Sequence, residues 1–503
     1  LEKTLKGCRA VVIGAGIAGL ATAISLAARG ARVRILEQAA VAGGRHASIR
    51  LGNVDFELSD EVLTQPQVLG DLFGVADLRL AEFLTLHPVE PRTRLVFPDG
   101  MSCDLYRDPF KLAEEISRFS QRDAERLARA LRAGEAQGHR IEYQFLSRPG
   151  RGMAGVAMAA LRPTAWRAVA PILFPVSLDR WLRWRFESRA VRELFAALLG
   201  AQGMTLLDAP AGTGALVALE LQQGAWMPDG GMSGLVSALL RVATLLNIQV
   251  MTGCTVERIE WEASGVRGVS GEGFKPLRAD IVVSTLGSIS TSERLVPGPP
   301  HTPRLPAKAG RSAMALFLLL RGRCDKLERL ETLFVDEDPI ETRRQLDTWR
   351  VPAASPPLRV VRPGVIRKEF DAPGRTGIKV LVSAPAPSMR YRWSDATSSR
   401  ARDEILRRLS AAGIDGVPEM IEEQALLTPS DLGRRFRHTG GALYDPRPGG
   451  GCRWLLRAGN RLRGVHGLYL AGGGAHPGPG IAGHLRSGML AAECAARDWR
   501  FRA

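Results

Sequence analysis

The chain is short of acids, aromatics and cysteine. Of its 503 residues, 52 are Asp or Glu against 68 Lys or Arg, a formal net charge of +16. Such an excess favours anionic partners, either lipid headgroups or nucleic acid, although the arginines are spread along the whole chain and composition accounts for part of it. The six cysteines, Cys8, Cys103, Cys254, Cys324, Cys452 and Cys494, never stand at CxxC spacing. That spacing argues against a zinc site or a disulfide framework and leaves them as buried, reduced thiols of a cytoplasmic protein. The eight histidines form no ligand cluster in the sequence, so no metal is expected. No apolar run approaches the roughly 20 residues needed to span a bilayer. The longest, AVAPILFPVSL (168–178) and AMALFLLL (313–320), fall well short, and the first residues carry no signal-peptide pattern.

Glycine, by contrast, is abundant and placed. The stretch RAVVIGAGIAGLATAISLAARGARVRILEQ (9–38) reads as strand, tight turn, alanine-rich helix from Ile17 to about Arg29, and second strand. Gly14, Gly16 and Gly19 make a GxGxxG fingerprint. The first glycine permits the turn, the second lets a pyrophosphate approach, and the third lets helix and strand touch. The helix N-terminus, with Ala15 and Ala18 beside it, offers amide groups and a positive dipole end to phosphates. Glu37 closes the second strand, with Gln38 after it, where a carboxylate accepts from adenosine ribose hydroxyls and disfavours a 2′-phosphate. A dinucleotide site follows. The other end repeats the pattern. GLYLAGGGAHPGPGIAGHLRSGMLAAECAARDW (467–499) is a strand from Leu468 to Ala471, a turn crowded with glycine, and a helix with Ile481, Leu485, Met489 and Ala492 on one face. Such glycines suit a backbone that lies against a ligand.

The segment EQAAVAGGR (37–45), with Gly44 and Arg45 in a second glycine element, resembles the extended signature of flavoproteins of the glutathione-reductase and amine-oxidase superfamily. The resemblance narrows through GALYDP (441–446) followed by GLYLAGGGAHPGPGIAGHLRSG, through GAWMPDGGMSGLVSALLRVATLLNIQVMTGCTVERI (224–259), and through VDFELSDEVLTQPQVLGDLF (54–73). Together they resemble bacterial carotenoid desaturases of the phytoene and hydroxyneurosporene type. That likeness implies FAD as cofactor. It implies a Rossmann-like α/β FAD-binding domain of the glutathione-reductase type, discontinuous over 1–80, 225–290 and 450–503. An inserted α+β substrate domain would take 81–224 and 291–449. It also implies an adenine contact through the backbone at Val256 and flavin contacts at Gly473, Gly480 and Ile481.

The implied chemistry is desaturation of a long apolar isoprenoid such as a carotenoid: a hydride leaves one carbon for the flavin and a proton leaves its neighbour. An allylic position stabilises the developing cation, so no strong base is required. Asp60, Glu61, His476 and His484 are the candidate proton acceptors. Ser59, Asp60 and Glu61 stand where the family has Gly-Pro-Thr, and His484 and Arg486 where it has small or apolar residues. Asp60 and Glu61 lie either beside the flavin or exposed in a shifted loop, and His476 either accepts a proton or bonds a backbone carbonyl. An isomerase, a saturase, an amine oxidase or a non-catalytic flavoprotein stays open as an alternative. The amine oxidase is weakened by only five tyrosines and no aromatic residue in 471–488.

Elsewhere, 108–142 has helical periodicity with a solvated charged face, and 310–323 and 377–387 read as strands of a second sheet. The Pro-, Gly- and Arg-rich stretches 294–310 and 351–364 read as loops. Segment 147–189 carries many arginines, two acids (Asp179 and Glu187), and Trp166, Trp181 and Trp184. That composition suits an anionic membrane surface, or equally an ordinary packed helix with exposed arginines. It predicts a cytoplasmic protein peripheral on the inner face of a membrane. Nucleic acid is disfavoured, since no recognised module accompanies the charge. The oligomeric state is not assigned.

Overall fold

The computed structural model describes residues 4–149, 176–201, 203–298, 307–308, 311–324, 326–371, 374–388, 390–436, 447–448 and 457–500. Residues 150–175 of the expected membrane segment 147–189, with Trp166, and the GALYDP motif lie outside the described residues.

The chain opens with β1 (Arg9–Ile13), α1 (Ile17–Ala28) and β2 (Arg32–Leu36). It returns to the same layer with α2 (Gly231–Leu245), β3 (Gln249–Met251) and β4 (Ile281–Ser284), and a last time with β5 (Leu468–Leu470) and α3 (Ile481–Trp499). The strands form one parallel sheet in the order β3-β2-β1-β4-β5, with Val12 opposite Ile35 and Val283, and Val283 opposite Tyr469. Parallel strands covered on both faces are apolar throughout, as VVI and IVV are here. Order reverses at β1, and a doubly wound sheet binds its ligand at that switch point, outside the carboxyl ends of the strands.

Two helices from opposite ends of the sequence lie against each other over this sheet. Side chains of α1 are buried from Ile17 to Leu26 because alanine, glycine and small polar residues leave room for a second helix. A methyl group on Gly488 of α3 would stand 2.6 Å from the Ala18 carbonyl oxygen and 2.8 Å from the Thr22 nitrogen. Only glycine admits that approach. Leu20 and Ile24 of α1 and Leu235 and Leu239 of α2 share the same core.

The second sheet has seven strands, in the order Ile421–Leu427, Arg311–Arg321, Arg375–Pro385, Leu358–Val361, Glu331–Phe334, Arg94–Val96 and Ser102–Asp104. Its long central pair is antiparallel, with Leu316 opposite Val380. The expected strands at 310–323 and 377–387 are this pair. The expected loop at 351–364 is corrected: Leu358–Val361 is a strand inside the sheet, paired on both sides. Its four residues LRVV are too few to show alternation between flanking prolines and arginines. The 108–142 stretch is two helices, Pro109–Ser117 and Gln121–Ile141, capped by the Asp108 and Ser120 side chains. Cys8, Cys103, Cys254, Cys324 and Cys494 are buried thiols outside any disulfide.

Candidate active site

The fingerprint loop is shaped by two contacts. A methyl on Gly19 would lie 1.9 Å from the Gly14 carbonyl oxygen, so helix and turn could not close on any other residue. Gly14 itself has φ +100°, and its N–H donates to the Leu36 carbonyl at 2.8 Å. The second glycine element folds over the first: Gly43 N–H donates to the Ala15 carbonyl at 3.0 Å, and a Cβ on Gly44 would stand 3.2 Å from the Gly16 Cα. Glu37 is buried at the end of β2. Its Oε2 accepts from Ala15 N–H at 2.7 Å and its Oε1 from Ala39 N–H at 2.9 Å. The two bonds hold the carboxylate in one orientation and leave each oxygen a further lone pair. Gln38 Nε2 donates to the Arg435 carbonyl at 3.0 Å.

The C-terminal turn is tied down as firmly. Gly472 N–H donates to Ser487 Oγ at 3.0 Å, Asn460 Nδ2 to the His476 carbonyl at 2.9 Å, and Arg457 Nη1 to the Gly473 carbonyl. His484 Nδ1 donates to the Gly480 carbonyl at 2.6 Å. Among the described residues no side chain caps the N-terminus of α1 or of α3. Both starts, Ile17 and Ile481, open on one cavity of about 1050 Å³. That exceeds the roughly 300–1,000 Å³ of common ligand pockets, as a dinucleotide plus a substrate requires.

The structure brings Gly14, Gly16, Ala18, Gly19, Glu37, Gln38, Gly44, Arg45, Val256, Gly473, Gly480 and Ile481 into the wall of this cavity, with Asp60 and His484. Ala15 stands behind it, holding Glu37. These residues fit FAD. A Cβ on Gly480 would meet no protein atom within 4 Å, so a side chain there would take space from the cavity that Gly480 lines. The one carboxylate at the end of β2, two uncapped helix starts and a run of glycine backbone form the donor set of a dinucleotide with two phosphates.

Glu61 and His476 are not brought to this cavity. Glu61 is buried and paired with Lys379 at 2.7 Å, which corrects the expectation of an exposed shifted loop for that residue. His476 donates from Nε2 to the Phe145 carbonyl at 3.1 Å and lies edge-on to the Phe145 ring, 5.2 Å between centroids. Burial pushes its pKa down to about 4. Arg486 is buried in an ion pair with Glu142.

Sequence reading missed three buried residues. Lys379 is fully buried, and its ammonium donates to the Glu57 carbonyl at 3.0 Å, the Ser59 carbonyl at 2.6 Å and Glu61 Oε1 at 2.7 Å, one acceptor for each proton. A lone lysine inside the apolar run GIKVLV was the available signal. Glu57, buried beside the start of α2, accepts from Ser233 N–H at 3.1 Å. Burial, with Glu61 near, pushes its pKa up to about 8. His46 lines the cavity, and burial, with His484 and Arg45 close, pushes its pKa down to about 3. Burial also raises the Asp60 carboxyl above the ordinary carboxylate range, against the pull of Arg359 and Lys379.

Comparison with known proteins agrees with this geometry. The family model "Flavin containing amine oxidoreductase" matches residues 17–496. The hydroxyneurosporene desaturase of Rubrivivax gelatinosus is 31% identical, covering 98% of this chain and 94% of its own. The all-trans-zeta-carotene desaturase of Myxococcus xanthus is 28% identical, covering 97% and 93%. Among solved structures, an oxidoreductase from Methanosarcina mazei superposes with TM-score 0.63 at 16% identity, covering 96% of this chain and all of that one. It shares the fold.

Proposed function

Since the chain belongs to the flavin-containing amine oxidoreductase family, and within it to the bacterial carotenoid desaturases, we propose that it introduces C=C bonds into a long apolar isoprenoid of the carotenoid class. It is an FAD-dependent oxidoreductase. The observation that carries the reading is the meeting of two uncapped helix starts, Ile17 and Ile481, at one glycine-lined cavity. FAD, when bound, supplies the two-electron chemistry by accepting a hydride.

The protein's part is to hold and orient. Glu37 would take the adenosine ribose, the backbone at Gly14–Gly16 with Gly44 and Arg45 the pyrophosphate, and Val256 the adenine edge. Gly473, Gly480 and Ile481 would take the flavin end, where the dipole of α3 favours negative charge. Residues 1–80, 225–290 and 450–503 form the cofactor domain on this reading, and 81–224 with 291–449 the substrate domain.

The reading extends to a peripheral place on the inner face of a membrane, where the polyene is dissolved. Helix Leu178–Arg185 supports it. Asp179 and Arg183 line the cavity, while Trp184 is 66% exposed with the Arg180 guanidinium 5.0 Å over its ring. Indole and guanidinium together suit a headgroup layer. Among the described residues no helix is long and apolar enough to cross a membrane.

The test is anaerobic mixing of the FAD-loaded protein with carotenoid precursors in anionic liposomes. Loss of visible flavin absorbance with a more conjugated product is expected. A polyene isomerised without net flavin reduction would favour the isomerase instead, and a flavin that no polyene alters would overturn the proposal.

A further inference from the structure

Behind the main cavity lies a second, small polar pocket. It holds about 40 Å³ and shares five wall residues with the large one: Asp60, Arg359, Leu381, Gly480 and Ile481. Asp60 is the carboxylate among these five, and it sits beside the start of α3, at the end of the cavity assigned to the flavin. Three ion pairs stand in its wall among Val62, Leu330 and Val361. Arg92 pairs with Glu220 at 2.8 Å, Arg359 with Glu331 at 2.8 Å, and Lys379 with Glu61 at 2.7 Å.

Two features suit this pocket to water. Its volume exceeds the roughly 10–15 Å³ that one water needs. Glu61 Oε2 and Arg92 Nε are buried, and neither has a hydrogen-bond partner among the described residues. A water in this pocket would supply the missing partner to such an atom, among the charged groups of the wall. Lys379, bonded to the carbonyls of Glu57 and Ser59 and to Glu61, holds the chain on both sides of Asp60. Asp60 thus stands in the wall shared by the large cavity and a small pocket that carries charged pairs.

We propose that Asp60 is the catalytic proton acceptor of the desaturation and that the small pocket carries the proton away from it. The assignment rests on the function proposed above. In each turnover two C–H bonds break and one C=C bond forms. One hydrogen leaves with its electron pair as hydride to the bound FAD. The other leaves as a proton to an Asp60 carboxylate oxygen, and its electron pair becomes the new π bond. Water in the pocket then takes that proton and returns Asp60 to its anion. Deep placement raises the basicity of Asp60, while Arg359, Lys379 and Arg92 keep the anion accessible, and Glu331, Glu61 and Glu220 complete the charges around it.

The experiment compares wild type with Asp60→Asn and Asp60→Ala, each loaded with FAD. Flavin reduction by a polyene that reduces the wild type is expected to fall by about 10²–10⁴-fold in both variants. Added formate should restore part of the rate in Asp60→Ala, where the lost carboxylate leaves space, and none in Asp60→Asn. The acid limb of the wild-type rate, rising with pH above the ordinary carboxylate range, should vanish in Asp60→Asn. FAD occupancy should stay unchanged in both variants. A readout independent of turnover is the carboxyl C=O band in pH-difference infrared spectra of the FAD-free protein, with one titrating band lost in Asp60→Asn. Wild-type rates and an unchanged acid limb in Asp60→Asn would overturn the assignment while leaving desaturation standing. A wild-type flavin that no polyene reduces would overturn both.

Discussion

The nucleotide end of the large cavity is walled by backbone, and the small pocket that shares Asp60 with it carries charged pairs. The nucleotide-facing part is glycine amides, two helix starts and one carboxylate, Glu37, held by amides. The small pocket on the other side of Asp60 is lined by ion pairs whose members come from distant places: Glu61 and Lys379 are 318 residues apart, and Arg92 and Glu220 are 128 apart. The first wall tolerates change in side chains but not in Cβ positions. The second tolerates backbone change but not the loss of one charge, because its partner is then left buried and unpaired.

Breaking the second wall should have the largest effect. Lys379→Met leaves Glu61 and two carbonyls without their donor, and stability should fall by about 3–5 kcal/mol in denaturant titration. The double variant Lys379→Met with Glu61→Gln should recover part of it, since no charge then stays stranded. A double variant as unstable as the single one would count against the ion pair as the cause. Glu37→Ala strikes the first wall at its one charge. FAD binding should weaken by about 1.5–3 kcal/mol, roughly tenfold to 150-fold in Kd by flavin fluorescence, with stability of the apoprotein less affected. Gly488→Ala tests the helix crossing that brings the two helix starts together. The added methyl meets two backbone atoms and the Ala21 Cβ within 2.9 Å, and the expected cost is about 1–3 kcal/mol.

A pH series sharpens the same contrast. His46 and His476 are kept neutral in the fold, with pKa values pushed down to about 3 and about 4. The unfolded chain takes up protons on them below about 6.5, and the native state does not. Their share of stability is therefore complete above pH 6.5 and is lost as pH falls through that value toward 3. Glu57 runs the other way: its share is complete below about pH 4.5 and is lost as pH rises through about 8. Melting temperatures of His476→Gln should flatten the acid side alone, and those of Glu57→Gln the alkaline side alone. The smallest effect belongs to an exposed pair outside both walls. Arg9→Ala, which removes the contact to Asp280 at 2.7 Å, should cost at most about 1 kcal/mol.

Most of the first wall was legible because each of its parts is local. GxGxxG, the acid after β2, GGR and the glycine-rich turn before α3 are short, contiguous patterns that fix a turn, an amide or a helix start without help from elsewhere. The two central strands of the second sheet were equally plain, being long and apolar. Leu358–Val361 was not, because four residues are too short for a period. Lys379 was visible as an odd residue in an apolar strand, but nothing near it in the chain named its partners at Glu57, Ser59 and Glu61. His46 and Arg359 gave no signal of their own.

From its order of residues alone this protein had a dinucleotide crevice, its two helix starts and the acid at the end of β2, since dipoles and glycine turns are properties of a few consecutive residues. Tertiary structure decided that two of the four candidate acceptors, Asp60 and His484, face the large cavity. It turned His476 to the Phe145 carbonyl, gave Glu61 to Lys379, and left Asp60 between two cavities. Burial and charge pairing depend on what the fold brings near, and distance along the chain does not encode that.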